Sequence, residues 1–254
     1  MGKATLKNIT LDGFKSIRHM SLDLRPLNVL IGPNGAGKSN LVSFFRLLEA
    51  MRDGRLQEHI ATSGGADSLL FGGSKLTPYM KMRWDASSGA ATIEYAAKLI
   101  QTPADSLVFS TESIQSTAGQ EAVGTIDIRG PSQRESGLSQ VTAPRDFPEA
   151  ADLAALLKGF CAFHFHDTSA RSAVRLPQYV HDNVQLYHDA ANLTPMLYRF
   201  QETDPPAFRR IVETFRQIAP WLHRFELKGH TAGRGNLWID RREEHSPMLF
   251  GAHQ

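Results

Sequence analysis

An α/β fold is predicted for this 254-residue chain by three features of its sequence. Apolar and polar residues alternate over 4–11 and 20–24, the period of half-buried strands. A glycine-rich stretch at 32–37 separates an apolar run, 27–31, from a run of helical period, 41–48. Further strand-like runs at 79–84, 91–99, 106–113 and 123–128 are separated by Ser, Gly and Asp, as in an antiparallel meander.

The glycine-rich stretch, Gly32-Pro33-Asn34-Gly35-Ala36-Gly37-Lys38-Ser39-Asn40, fits G-x-x-x-x-G-K-[ST], a phosphate-binding loop. The preceding run is expected as a strand, with 29–31 delivering the chain to the sheet edge. Gly35 and Gly37 let the backbone curl so that successive N–H groups point into one concavity. Lys38 brings a point charge to the β- and γ-phosphates, and the Ser39 hydroxyl is a ligand for Mg²⁺. The helix expected from about 38 to 51 adds the positive end of its dipole.

Composition bounds the rest. An apolar fraction of 41% supports a sizeable core, and 254 residues allow one large or two small domains. A net charge of +2 gives no bulk electrostatic case for nucleic acid. The single Cys161 excludes an internal disulfide and fits a reducing cytoplasm. No apolar window reaches the length of a membrane-spanning helix.

Along the chain, 1–130 reads as a nucleotide-binding lobe with the meander, and 57–73 as an irregular connection with one short helix. The polar, proline-containing stretch at 131–150 reads as a flexible linker. Residues 151–222 are mainly helical in pattern, with helices at 152–159, 192–202 and 205–219 and a helical lead-in over 186–191. In 205–219, Phe208, Ile211, Val212, Phe215 and Ile218 share one face, the pattern of a core. Residues 224–228 and 237–240 form a hairpin within a last segment, 223–254.

Residues 9–17 (Ile-Thr-Leu-Asp-Gly-Phe-Lys-Ser-Ile), followed by 27–40, resemble the N-terminal lobe of SMC/RecF-type ABC ATPases. The resemblance extends to bacterial AAA family ATPases related to the overcoming-lysogenization-defect proteins. Residues 164–168, 189–193 and 218–221 with Phe225 add matches in the same order. The implied fold is a P-loop NTPase, an ABC-type lobe I with an antiparallel β-meander and a helical insertion. The implied ligands are ATP and Mg²⁺, with Asn34, Gly35, Ala36, Gly37, Lys38, Ser39 and Asn40 around the triphosphate. Lys15 and Arg18 stand where such ATPases place a basic residue against the nucleotide, to neutralise phosphate or stack on adenine.

In that family two heads pair head to tail through ATP, and the resemblance implies such a homodimer, with DNA and an effector protein or domain as partners. It also implies work in DNA repair or phage defence. A Walker B strand ending in Asp-Glu, a signature motif and a switch His are not matched. Residues 126–127 and 237–240 lack the long apolar strand with Glu. Residues 116–120 look like a signature but precede a strand, and 63–65 read as loop. Relatives run from a segment like 249–254 directly into the signature, so an N-terminal portion of a longer ATPase is expected, binding nucleotide with little turnover.

His164 and His166, two apart beside Asp167, are conceivable metal ligands, but the spacing matches no zinc pattern. Arg209-Arg210 and Arg241-Arg242 are short basic pairs of the kind that form a solvated face or touch DNA. Two other functions stay open: a nucleotide-switched regulatory module without turnover, and a P-loop small-molecule kinase. A kinase starts closer to its loop and carries an Arg-rich lid, which this chain lacks.

Overall fold

The computed structural model describes residues 4–118, 121–129, 131–140, 150–163, 169, 172–176, 178–229, 234–241 and 248–250. The chain divides into two compact units, Met1–Ala162 and Phe163–Gln254.

The first unit is built on one antiparallel sheet. β1 (Thr5–Phe14) and β2 (Ile17–Asp23) form a hairpin closed by Lys15 and Ser16, with Phe14 opposite Ile17. β3 (Tyr79–Ser88), β4 (Ala91–Gln101), β5 (Leu107–Ala118) and β6 (Glu121–Arg129) follow as the expected meander. The order across the six strands is β2-β1-β3-β4-β5-β6. β3 joins the hairpin by pairing with β1, Trp84 opposite Ile9 and Met82 opposite Leu11.

Side chains alternate across a strand, so Ile9 and Leu11, Met80, Met82 and Trp84, and Ile93 and Tyr95 all emerge on one buried face. α1 (Lys38–Arg52), α2 (Leu56–Thr62), α3 (Gly65–Leu69) and α4 (Ala150–Lys158) add their apolar residues to this core. α1 buries Phe44, Leu47, Leu48 and Met51, an i, i+3, i+4, i+7 stripe. Phe44 meets Phe14 edge-on at 6.0 Å, and Trp84 stacks on Tyr95 at 5.0 Å and meets Phe160 at 6.2 Å. Burying each such ring is worth about 1.5–3 kcal/mol.

Three regions differ from the sequence-based expectation. Residues 27–31 form no strand: Leu27, Val29, Leu30 and Ile31 are exposed by 80%, 72%, 43% and 90%. The Asn28 side chain instead clasps Arg25, accepting from its N–H at 3.0 Å and donating to its carbonyl at 2.7 Å. An extended segment becomes a strand only where a neighbour completes its ladder. Between residues 57 and 73 the chain makes two short helices where one was expected.

Residues 131–140, expected within a flexible linker, are tied to the sheet. Ser132 N–H donates to Phe109 O at 2.7 Å, and Phe109 N–H donates to Gln133 O at 2.8 Å. The Glu135 carboxylate accepts from the N–H groups of Leu56 and Gln57 at 2.8 and 3.0 Å, capping α2. Glu112, 1% exposed, accepts from Tyr95 Oη at 2.7 Å, Gly137 N at 2.8 Å and the Ser136 hydroxyl. α4, expected to open a separate helical subdomain, buries Leu153 and Leu157 in the first unit's core. Arg52, at the end of α1, donates to the carbonyls of Leu157 and Phe160, both at 3.0 Å.

The second unit holds β7 (Gln178–Tyr179), α5 (Leu193–Thr203), α6 (Pro205–Ile218), β8 (Leu222–Gly229), β9 (Arg234–Arg241) and β10 (Met248–Phe250). β9 pairs with β8, β7 and β10, which includes the expected hairpin. Residues 186–191 are turns, not helix. The fully buried Asn192 organises them, donating to Asp182 O and Gln185 O and accepting from Tyr187 N, each at 2.8 Å. Asp204 caps α6 through Ala207 N–H at 3.0 Å, with Pro205 at its first position. Val212 of the expected apolar face is buried and Phe208 and Phe215 partly so, but Ile211 and Ile218 are 37% and 85% exposed.

Candidate functional site

The loop at 32–40 turns directly into α1. Gly35 and Gly37 have φ of 84° and 89°, left-handed values that L side chains rarely adopt. Gly37 is the N-cap residue, and the N–H groups of Asn40 and Leu41 both return to its carbonyl at 3.0 Å. No side chain caps the helix, so the start of α1 presents N–H groups and the dipole's positive end at the loop.

Lys38 Nζ donates to Gly32 O at 2.7 Å and Pro33 O at 2.8 Å, so its ammonium spans the loop's mouth. Asn40 Nδ2 donates to Ser16 Oγ at 2.7 Å, which fastens the β1–β2 turn to the first turn of α1. A Cβ on Gly37 would stand 3.2 Å from the same Ser16 oxygen. Asn34, Ala36 and Ser39 are exposed along the loop.

A groove of about 480 Å³ runs beside the loop. Gly37 and Lys38 border one side, Val29, Leu30 and Ile31 another, and Ile17, Arg18, Met20 and Leu22 of β2 line it too. Arg18, one of the two expected basic contacts, therefore faces the loop's neighbourhood. Lys15 does not line this groove. Its ammonium lies over the Phe14 ring, 5.7 Å from the centroid, and burial followed by the charge of Arg46 lowers its pKa.

Among the described residues that line this groove there is no Asp or Glu. Ser116, Thr117 and Ala118, the start of the signature look-alike, lie in β5 and pair with β4 and β6. His164, His166 and Asp167 fall outside the described residues. Among the described residues no group of three or more His, Cys, Asp or Glu is placed to hold a metal ion. No helix among them is long and apolar enough to cross a membrane.

One group at the site escaped a reading of the sequence. Ser16 is the anchor of Asn40, and its signal was its place directly after Lys15 in the strand-turn stretch at 9–17.

Residues 5–73 match the family model described as AAA ATPase domain. That segment spans β1, β2, the phosphate loop and α1 to α3. The match supports an ATPase of the AAA/ABC type, a nucleotide-binding class. No curated protein matches the chain.

Proposed function

We propose that the first unit binds ATP with its triphosphate in the loop at Asn34, Gly35, Ala36, Gly37, Lys38, Ser39 and Asn40. The observation that carries this reading is the left-handed Gly35 and Gly37 opening α1, with Lys38 held across the loop by two carbonyls. Phosphate oxygens would replace those carbonyls as partners of the ammonium, a charge-assisted exchange. The Ser39 hydroxyl fits Mg²⁺, a hard cation that keeps several waters and takes nucleotide oxygens, so one oxygen from the helix start suffices. Arg18 faces the base or phosphates from the groove's β2 side, and Lys15 supports the positive potential from the same turn.

The finer reading is an SMC/RecF-like ATPase acting in DNA repair or phage defence in the cytoplasm. Two heads would pair through bound ATP and engage DNA and an effector protein or domain. Turnover by this chain would be slow, because hydrolysis needs a group that orients water and no carboxylate is among the described residues that line the groove. The same observation suits a nucleotide-switched regulatory module. Titration with ATP and Mg²⁺, read by calorimetry together with phosphate release and size-exclusion chromatography, tests the set. Binding with ATP-dependent dimerisation supports the paired-head reading; absence of binding by the intact chain removes it.

A further inference from the structure

The solvent face of the first unit's sheet carries two like charges side by side at one end. Lys81 of β3 and Lys98 of β4 stand directly opposite each other, next on that face to the Tyr79–Ile100 pair. Both ammonium groups lie over the Tyr79 ring, 5.2 and 5.3 Å from its centroid. Like charges directly opposite repel, and the negative face of the ring is what holds these two together. Tyr79 and Ile100 are 36% and 37% exposed, so an apolar edge accompanies the charge.

The carboxylates that share this face are engaged elsewhere. Asp12, opposite Lys81 on β1, is bound by His19. Arg83 takes Glu94 at 2.8 Å and Asp85 at 3.6 Å. Among the described residues neither lysine has an ion-pair partner. Beside Tyr79 lies a cavity of about 470 Å³. Phe71, Leu76 and Tyr79 give it apolar walls, and Asp12, Arg18 and His19 give it polar ones. Gly13 lets the end of β1 lie hard against the start of β3: its φ is 75°, and a Cβ there would stand 2.6 Å from Tyr79 O. A cavity of this volume is in the range of small-ligand sites and has room for one nucleobase with its sugar.

We propose that this end of the sheet binds single-stranded nucleic acid, with a backbone phosphate on Lys81 and Lys98 and one base in the cavity against Tyr79. The phosphate would lie between two ammonium groups that otherwise repel, and the base would meet the Tyr79 ring and the Phe71 and Leu76 side chains. A base inside a duplex leaves its stack only at a cost, so the surface suits a single strand better. The proposal gives a surface to the nucleic-acid partner of the proposed function and rests on that part of it. It does not need ATP at the loop.

Fluorescence anisotropy of a labelled mixed-sequence DNA strand, alone and as its duplex, tests this with the full chain. The single strand should bind more tightly than the duplex. Lys81→Gln combined with Lys98→Gln should weaken binding and lower the slope of log affinity against log salt by about 0.7 for each lysine. Tyr79→Ala should weaken binding by roughly 5- to 150-fold with the slope unchanged, and Tyr79→Phe should keep it. Should Tyr79→Ala fail to fold, the lysine pair carries the comparison. Arg18 and His19 also border the groove at the phosphate loop, so ATP affinity is measured on the same variants and should not change. Lys38→Ala should bind the strand as the parent does. No binding of either DNA by the parent overturns this proposal together with the nucleic-acid partner. Strand binding that the Lys81, Lys98 and Tyr79 variants leave intact, tighter binding of the duplex, loss of ATP affinity in those variants, or loss of strand binding in Lys38→Ala overturns this surface alone.

Discussion

Asn40 reaches back from the first turn of α1 to Ser16, 2.7 Å away in the β1–β2 turn. The hydrogen bond couples the hairpin at one edge of the sheet to the helix that leaves the phosphate loop. A double-mutant cycle with Ser16→Ala and Asn40→Ala, read by chemical denaturation, should give a coupling of about 0.5–1 kcal/mol. Additive effects would show that the contact carries no energy of its own.

Glu135 substitutes for the cap that α2 lacks, since Arg55 at its N-cap position makes no side-chain cap bond. Glu135→Ala should therefore cost about 1–2 kcal/mol, with Glu135→Gln losing less because the amide oxygen still accepts. Equal losses for the two would mean that packing of the side chain, and not capping, matters there.

Tyr95 and Glu112 share a buried hydrogen bond, and burial followed by the Glu112 charge raises the Tyr95 pKa well above its usual value. Tyr95→Phe strips a donor from an enclosed carboxylate and should cost about 1–3 kcal/mol. The phenol stays protonated in the folded chain while the unfolded chain ionises near pH 10. Stability is then full below that pH and lost as pH rises beyond it, with a smaller slope in Tyr95→Phe. Identical alkaline slopes would contradict this.

His59 supplies the opposite sign. Its folded pKa is depressed by burial, then by Lys15, Arg46 and Arg55, so the unfolded chain binds the proton more readily. Stability from this group is present above about pH 6.5 and falls as pH drops from there through the lower folded value. Denaturation midpoints measured downward from neutral pH should fall less steeply in His59→Gln than in the parent chain.

The sheet was legible in the sequence because period-two alternation in β1, β3 and β4 follows directly from one buried face. The phosphate loop was legible because its glycines, Lys38 and Ser39 are contiguous. What stayed hidden depends on distant partners. Residues 131–140 are polar and aperiodic, yet Glu135 and Ser136 are fixed by α2 and Glu112, which no local pattern announces. Residues 27–31 have a strand's composition but no neighbouring ladder. The charges of Lys15 and Arg46 act on His59 from the β1–β2 turn and α1, elements distant from it in sequence.

The central claim is that Lys38 holds phosphate. ATP·Mg²⁺ affinity of the intact chain compared with Lys38→Ala, by calorimetry under one buffer, tests it most directly. Losing charge-assisted hydrogen bonds worth about 1.5–3 kcal/mol should weaken binding by roughly 10- to 150-fold while the denaturation midpoint stays near that of the parent. Equal affinity in the two proteins would contradict it.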